Sequence, residues 1–429
     1  MIEIKRDLYL NQLIDKQGNG MIKIITGIRR CGKSYLLFDL FRKHLLSSGV
    51  KEEQIISISL DDDESIPLQN PSVLSEYIKS KITNDKDKFY LLLDEAKLAI
   101  TEEEYKGKGM IRLYGILNSL LKHHNVDVYI TGSNSKFLSS DILTEFRGRG
   151  DEIRIHPLSF AEFMSVYSKD SYLGYKEYSL YGGLPYITTC RNDEEKIKYL
   201  NNLFKNTYIK DIIERNNLKG DIVIDTLVDI LSSDTATLTN PTKLAKSFIS
   251  HSIKTNANTI SSYIDYLMDA FIISKAQRYD IKGKRYIGSP FKYYFEDIGL
   301  RNARLNFRQV EPSHIMENIL YNELIMRGFL VDIGVVEKYE KNSKGQNTVS
   351  LLEVDFVCNK GSQRYYIQSA YSIPDAEKMS QEQASFDRIN DSFKKIIVVQ
   401  DNVLPWHNEK GYLIINILDF LLNPNSLEL

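Results

Sequence analysis

At 429 residues the chain has length for about three domains, and its 55 Lys plus Arg nearly cancel its 57 Asp plus Glu, for a net charge of −2. That balance excludes a global basic field, so any contact with nucleic acid must come from a local patch. Cys31, Cys190 and Cys358 lie far apart without CxxC spacing, which indicates neither a disulfide framework nor a zinc site. MIEIKRDLYLNQL has no apolar signal core and no run of 18 apolar residues occurs, so a cytoplasmic protein without a membrane span is expected.

The first predicted strand, residues 21–26 (MIKIIT), runs into Gly27-Ile28-Arg29-Arg30-Cys31-Gly32-Lys33-Ser34, which matches GxxxxGK[ST]. A helix follows over 35–44, with apolar residues three and four apart. Strand, loop and helix in this order are the context that a phosphate-binding loop requires. The loop turns backbone N–H groups inward, the helix N-terminus adds its dipole, Lys33 reaches the β- and γ-phosphates, and the Ser34 hydroxyl ligates Mg2+. ATP and Mg2+ are the expected cofactors, and Gly27, Arg30, Cys31, Gly32, Lys33, Ser34 and Tyr35 the nucleotide-contacting run.

Further strands are predicted at 54–60, 89–93, 126–130 and 152–156, with helices between them such as 113–123. This alternation implies a parallel sheet covered on both faces, so residues 1–160 read as one α/β domain. The third strand ends in Asp94-Glu95, at the edge where open α/β sheets bind ligands. Asp94 would hold Mg2+ through water and Glu95 would polarise the attacking water. Thr131-Gly132-Ser133-Asn134 closes the next strand, and Ser133 and Asn134 either sense the γ-phosphate or serve as ordinary turn residues. Arg147 and Arg149, before the last strand, either act as an arginine finger on a neighbouring subunit in a homo-oligomer or pair with Asp151 and Glu152. Asp61-Asp62-Asp63-Glu64 reads as a solvated loop.

Residues 161–220 are aromatic-rich and helical, a lid or connector. Three short helices and a β-hairpin over 221–300 have the order of a winged helix. Residues 301–429 form a separate α/β unit. The third short helix carries no Lys or Arg over 256–270, poor chemistry for a phosphate-lined groove. Positive charge gathers instead in the hairpin, with Lys275, Arg278, Lys282, Lys284, Arg285 and Lys292 set against Asp280, which makes Lys282, Lys284 and Arg285 candidate DNA contacts.

GIRRCGKSYLL, LLLDEA, YITGSNSKFLSSDILTEFRGRG, HPLSFAEF and YGGLPY resemble the AAA-type P-loop ATPases of bacteria and archaea that carry a C-terminal domain of unknown function. FEDIGLRNA, MENILYNELIMRGF and EVDFV resemble that C-terminal domain. The resemblance implies an AAA-type ATPase with catalytic roles on Lys33, Glu95 and Arg147 or Arg149. One departure is Ala96-Lys97, where such proteins tend to carry Gln after the acidic pair, and it favours nucleotide binding over rapid turnover. The last unit resembles the restriction-endonuclease fold, with Glu317 and Asp355 in the positions of its acidic residues. Gln368 and Ala370 stand where the fold's Glu-x-Lys would be, so the expectation is a degenerate nuclease site, with Lys378 as a candidate migrated lysine. The resulting expectation is an ATPase that couples nucleotide state to a winged helix and a nuclease-like module, acting on DNA or a DNA-bound protein. The alternative is a nucleotide-regulated protein-interaction switch with slow hydrolysis and no DNA role.

Overall fold

The computed structural model describes residues 3–105, 111–132, 148–216, 218, 222–250, 252–309, 311–341 and 347–429. They form two compact units, Met1–Pro157 with Asp269–Phe271, and Leu158–Met268 with Ile272–Leu429.

The first unit is built on five parallel strands: β1 (Ile22–Thr26), β2 (Ile55–Ser59), β3 (Phe89–Asp94), β4 (Val126–Thr131) and β5 (Gly150–Arg154), in the order β2-β3-β4-β1-β5. β1, β3 and β4 are buried along their whole length, as strands covered on both faces must be. Alternate residues Ile22, Ile24, Leu91, Leu93, Val128 and Ile130 share one core. Onto it pack Leu113, Leu117 and Leu120 of helix Arg112–Leu120, and Leu74 and Ile78 of helix Pro71–Lys81. The three-and-four spacing places those leucines on one stripe, and Leu117→Ala would cost about 2–5 kcal/mol. Lys23, fully buried in β1, is held by an ion pair to Asp127 of β4, because a buried charge needs a partner.

The second unit carries an eight-stranded mixed sheet: β6 (Ile273–Asp280), β7 (Arg285–Phe295), β8 (Leu330–Lys341), β9 (Asn347–Lys360), β10 (Gln363–Ala370), β11 (Lys394–Val399), β12 (Trp406–His407) and β13 (Leu413–Asn416), in the order β12-β13-β11-β10-β9-β8-β6-β7. Helices Ile222–Ser233, Pro241–Ser250 and Ala257–Asp269 precede the β6–β7 hairpin, as the sequence suggests. Thr239 adds a bridge to Phe291 of β7. The hairpin is not a free wing: β6 also pairs in parallel with β8, through Arg278↔Ile333 to Asp280↔Val335. One sheet thus continues from β6 and β7 across residue 300 into the later strands. No helix among the described residues is long and apolar enough to cross a membrane.

The helix Ile298–Arg304 starts on Asp297, whose carboxylate accepts Leu300 N at 3.1 Å and Gly183 N at 2.7 Å. Gly182 sits at φ +75°, and a Cβ there would lie 2.2 Å from an Asp297 oxygen. Two of the resembling motifs, YGGLPY and FEDIGLRNA, thus meet in one buried joint. Burial pushes the Asp297 carboxyl up to about 6, against the backbone hydrogen bonds from Gly183, Leu300 and Gly299 that oppose the rise.

Candidate nucleotide site

The glycine loop follows the last residue of β1 and opens a helix that runs from Lys33 to Ser47, widened into a π turn over Leu36–Phe41. Gly27 takes φ +140°, and a Cβ at that position would meet the carbonyl oxygen of Ile155 at 2.1 Å, so only glycine lets the loop pass. Arg30 and Gly32 also hold positive φ, 66° and 100°, which turns the chain tightly before the helix. Lys33 is buried, with Nζ 3.0 Å from the carbonyls of Gly27 and of Ile28. Its ammonium is curled into the loop that would surround the phosphates. Cys31 is fully buried, its Sγ 3.6 Å from the Ile155 carbonyl, a filler beneath the loop. The Tyr35 phenol lies near the backbone of Ile4 in the N-terminal segment, and burial raises its pKa.

Asp94 joins two elements of the site. Its Oδ2 accepts the Ser34 hydroxyl at 2.6 Å, and its Oδ1 accepts the Thr131 hydroxyl. Burial raises its pKa above the ordinary carboxylate range, and the Ser34 and Thr131 hydrogen bonds pull it back down. A cation held here by Ser34 and Asp94 would relieve that buried charge, so the donor set fits Mg2+. Glu95 follows in the left-handed region, φ 48° and ψ 46°, a strain of about 1–3 kcal/mol that clusters at functional sites. Its N–H is anchored on Thr131 Oγ1 at 3.1 Å, so β3 and β4 together aim the carboxylate. Lys97 Nζ stands 3.4 Å from Glu95 Oε2.

Ser133, Asn134 and Arg147 lie outside the described residues. Arg149 is described and exposed. It precedes Gly150, which pairs with Ile22 at the beginning of β1, whereas the glycine loop leaves the other end at Thr26. Five residues at about 3.3 Å each separate those edges, so Arg149 does not serve the nucleotide loop of its own chain.

Arg6 was not legible as a site residue. Buried at 3% exposure, it donates from Nη2 to the His156 carbonyl at 2.6 Å and from Nη1 to the Cys31 carbonyl at 3.4 Å, tying the N-terminal segment to the loop. Nothing in its neighbourhood in the sequence marks it.

A second polar cluster lies inside the second unit. Glu317, on helix Pro312–Met326, and Asp355, on β9, do converge, but on a residue assigned to the basic hairpin. Lys292 of β7 is buried, with Nζ 2.8 Å from Glu317, 2.6 Å from Glu353 and 3.9 Å from Asp355. Burial lowers the lysine's pKa, and Glu317, Asp355 and Glu353 more than reverse this, so it stays charged. Asp355 is pushed well up, first by burial and then by Glu317. Tyr294 adds a bond to Glu317 at 2.7 Å. β10 lies beside β9 with Ile367 opposite Phe356, which places Gln368 one step on, next to Asp355, and its buried Oε1 has no hydrogen-bond partner. Lys378 is elsewhere, paired with Glu382 at 2.6 Å on its own helix. Among the hairpin cations, Lys292 is thus removed from any DNA face and Arg285 is 3.5 Å from Asp280, while Lys282 and Lys284 are exposed.

Residues 19–164 match an AAA domain and residues 173–311 a domain of unknown function (DUF8612). An uncharacterized protein of Haemophilus influenzae is 31% identical over 424 residues, 98% of each chain. One of Methanocaldococcus jannaschii is 27% identical over 97% of this chain and 88% of that one. The Walker-type ATPase Paby2304 of Pyrococcus abyssi aligns over 71% of this chain and 96% of its own, at 14% identity and a TM-score of 0.49, a likeness that says nothing of function. This chain therefore belongs to the family of the Haemophilus influenzae protein, and its first unit is a nucleotide-binding P-loop domain of the AAA type.

Proposed function

We propose that the chain is a Mg2+-dependent ATPase that couples its nucleotide state to the second unit and acts on DNA or a DNA-bound protein. The observation that carries this is the Ser34–Asp94–Thr131 bridge with Glu95 anchored beside it. Lys33 would neutralise the β- and γ-phosphates, Ser34 and Asp94 would hold the Mg2+, which shields phosphate charge when bound, and Glu95 would polarise water for attack. Arg149 would complete the site of a neighbouring copy. In the second unit, the three helices, the Thr239 bridge and the β6–β7 hairpin support a winged-helix reading. The cluster around Lys292 supports a nuclease-like module that does not cleave, because an ammonium takes the middle of its carboxylates.

The Lys97–Glu95 ion pair favours a second reading, a nucleotide-dependent switch for a protein partner with slow hydrolysis. ATP hydrolysis by the full chain, measured with and without duplex DNA and against Lys33→Ala, tests the proposal. Stimulation by DNA that Lys33→Ala abolishes supports it. Slow hydrolysis indifferent to DNA favours the switch.

A further inference from the structure

A cleft of about 540 Å³ opens in the second unit between the starts of two helices and the middle of β7. Lys243, Lys246 and Thr242 line one side, Asn258 and Ser261 another, and Ser289 a third. Its polar lining is lysine, hydroxyl and amide, set among Pro241, Ala257 and Phe291, with no carboxylate. Neither lysine has a carboxylate partner among the described residues.

Both helices begin at this cleft. Pro241–Ser250 is capped by Asn240, whose Oδ1 accepts Lys243 N at 2.8 Å, and the second helix by Asn256, whose Oδ1 accepts Thr259 N at 3.0 Å. The caps satisfy the third-position amides, and the earlier N–H groups have no acceptor inside their helices. Thr242 and Asn258 carry two of those earlier amides and line the cleft. Two positive dipole ends and two lysines thus bear on one space. Lys243 and Lys246 are i and i+3, neighbours on one helix face. Where Thr239 ties the first helix to β7 by two backbone bonds of 2.8 Å to Phe291, its hydroxyl is buried and has no partner.

The geometry points to a site for the phosphodiester backbone of a nucleic acid. It replaces the hairpin tip as the contact surface, and it explains why the third helix lacks basic residues. That helix meets the cleft with its uncharged first turns, while exposed Asp265 lies eight residues beyond Ala257, about 12 Å along the axis. At about 30 Å³ per liquid water, the cleft holds far more than one inorganic phosphate, which favours a chain of phosphates over a free anion.

This deepens the DNA half of the proposed function and is independent of its nucleotide chemistry. The test is fluorescence anisotropy of the full chain with a labelled 20-base-pair duplex across a salt series, with inorganic phosphate as competitor. Lys243→Ala with Lys246→Ala should weaken binding about tenfold or more at low salt and lower the log–log salt slope by about 2, at ~0.9 per phosphate contact. Thr242→Glu should weaken it too, while an acid in the first helical turn preserves the fold. Lys282→Ala with Lys284→Ala should change the slope less. Equal affinity and slope in both cleft variants overturns the cleft and leaves a DNA role standing. No duplex binding by the wild type overturns both. Phosphate bound at the lysines without competition from duplex makes the cleft a small-anion site and overturns the backbone assignment.

Discussion

Lys97 places its ammonium 3.4 Å from the Glu95 carboxylate, longer than the 2.7–2.9 Å of a charge-assisted hydrogen bond, so the two form an ion pair at the residue expected to polarise water. The pair holds the Glu95 carboxylate toward a side chain two positions along. A partly exposed pair of this kind is worth about 0–1 kcal/mol, so Lys97→Ala should raise kcat by up to about fivefold with little change in KM. A fall in kcat, measured by phosphate release, would instead make Lys97 part of the catalytic machinery.

Arg149 lies at the end of the sheet away from its own nucleotide loop, so as an arginine finger it would act on a second copy. Arg149→Ala and Lys33→Ala should each be nearly inactive alone. Their mixture should regain activity, because one copy supplies the arginine and the other the lysine, with a finger worth about 10³–10⁵ in rate. A mixture no more active than its components removes Arg149 from the mechanism.

Lys292 is the resident cation of the Glu317, Glu353 and Asp355 cluster. Lys292→Met strands those carboxylates, and breaking a buried pair costs about 3–5 kcal/mol. Thermal unfolding should show a large loss there and almost none for Lys378→Ala, whose ion pair is at the surface. The unaltered protein should not cleave linear duplex DNA with Mg2+ or Mn2+. Cleavage that Asp355→Ala abolishes would show that the lysine yields its place to a metal.

The buried carboxyl of Asp297 makes stability depend on pH. Its folded pKa of about 6 lies above the ordinary 3.8, so the folded state binds the proton more tightly than the unfolded chain. That contribution is present in full below about pH 4 and is lost as pH rises through 6. About two pKa units correspond to about 3 kcal/mol. Unfolding free energies of the wild type, relative to Asp297→Asn, should fall by about that amount from pH 4 to pH 7. A flat difference across the window would show that Asp297 is ionised in both states.

The nucleotide loop was legible because its residues are contiguous and each does local work: glycines where φ is positive, a lysine at the helix start, an acidic pair at a strand end. The five strands of the first sheet were legible for the same reason, within a residue or two. What escaped depends on contacts far apart in sequence. Lys292 belongs to a hairpin that also carries Lys282, Lys284 and Arg285 and so reads as a surface cation, yet its strand lies in a sheet that brings it to Glu317 and Glu353. The β6–β8 pairing crosses some 50 residues and is set by register, which local periodicity does not encode. Arg6 acts on Cys31 and His156 only through the fold.

In the proposed mechanism Glu95 activates water at a site whose binding elements are Lys33, Ser34 and Asp94. ATP affinity and single-turnover hydrolysis should be measured side by side for the wild type and Glu95→Gln. ATP affinity should stay within about twofold and the hydrolysis rate should fall by about 10²–10⁴, the usual contribution of a general base. Hydrolysis at the wild-type rate, or affinity lost in proportion to rate, would remove Glu95 from water activation.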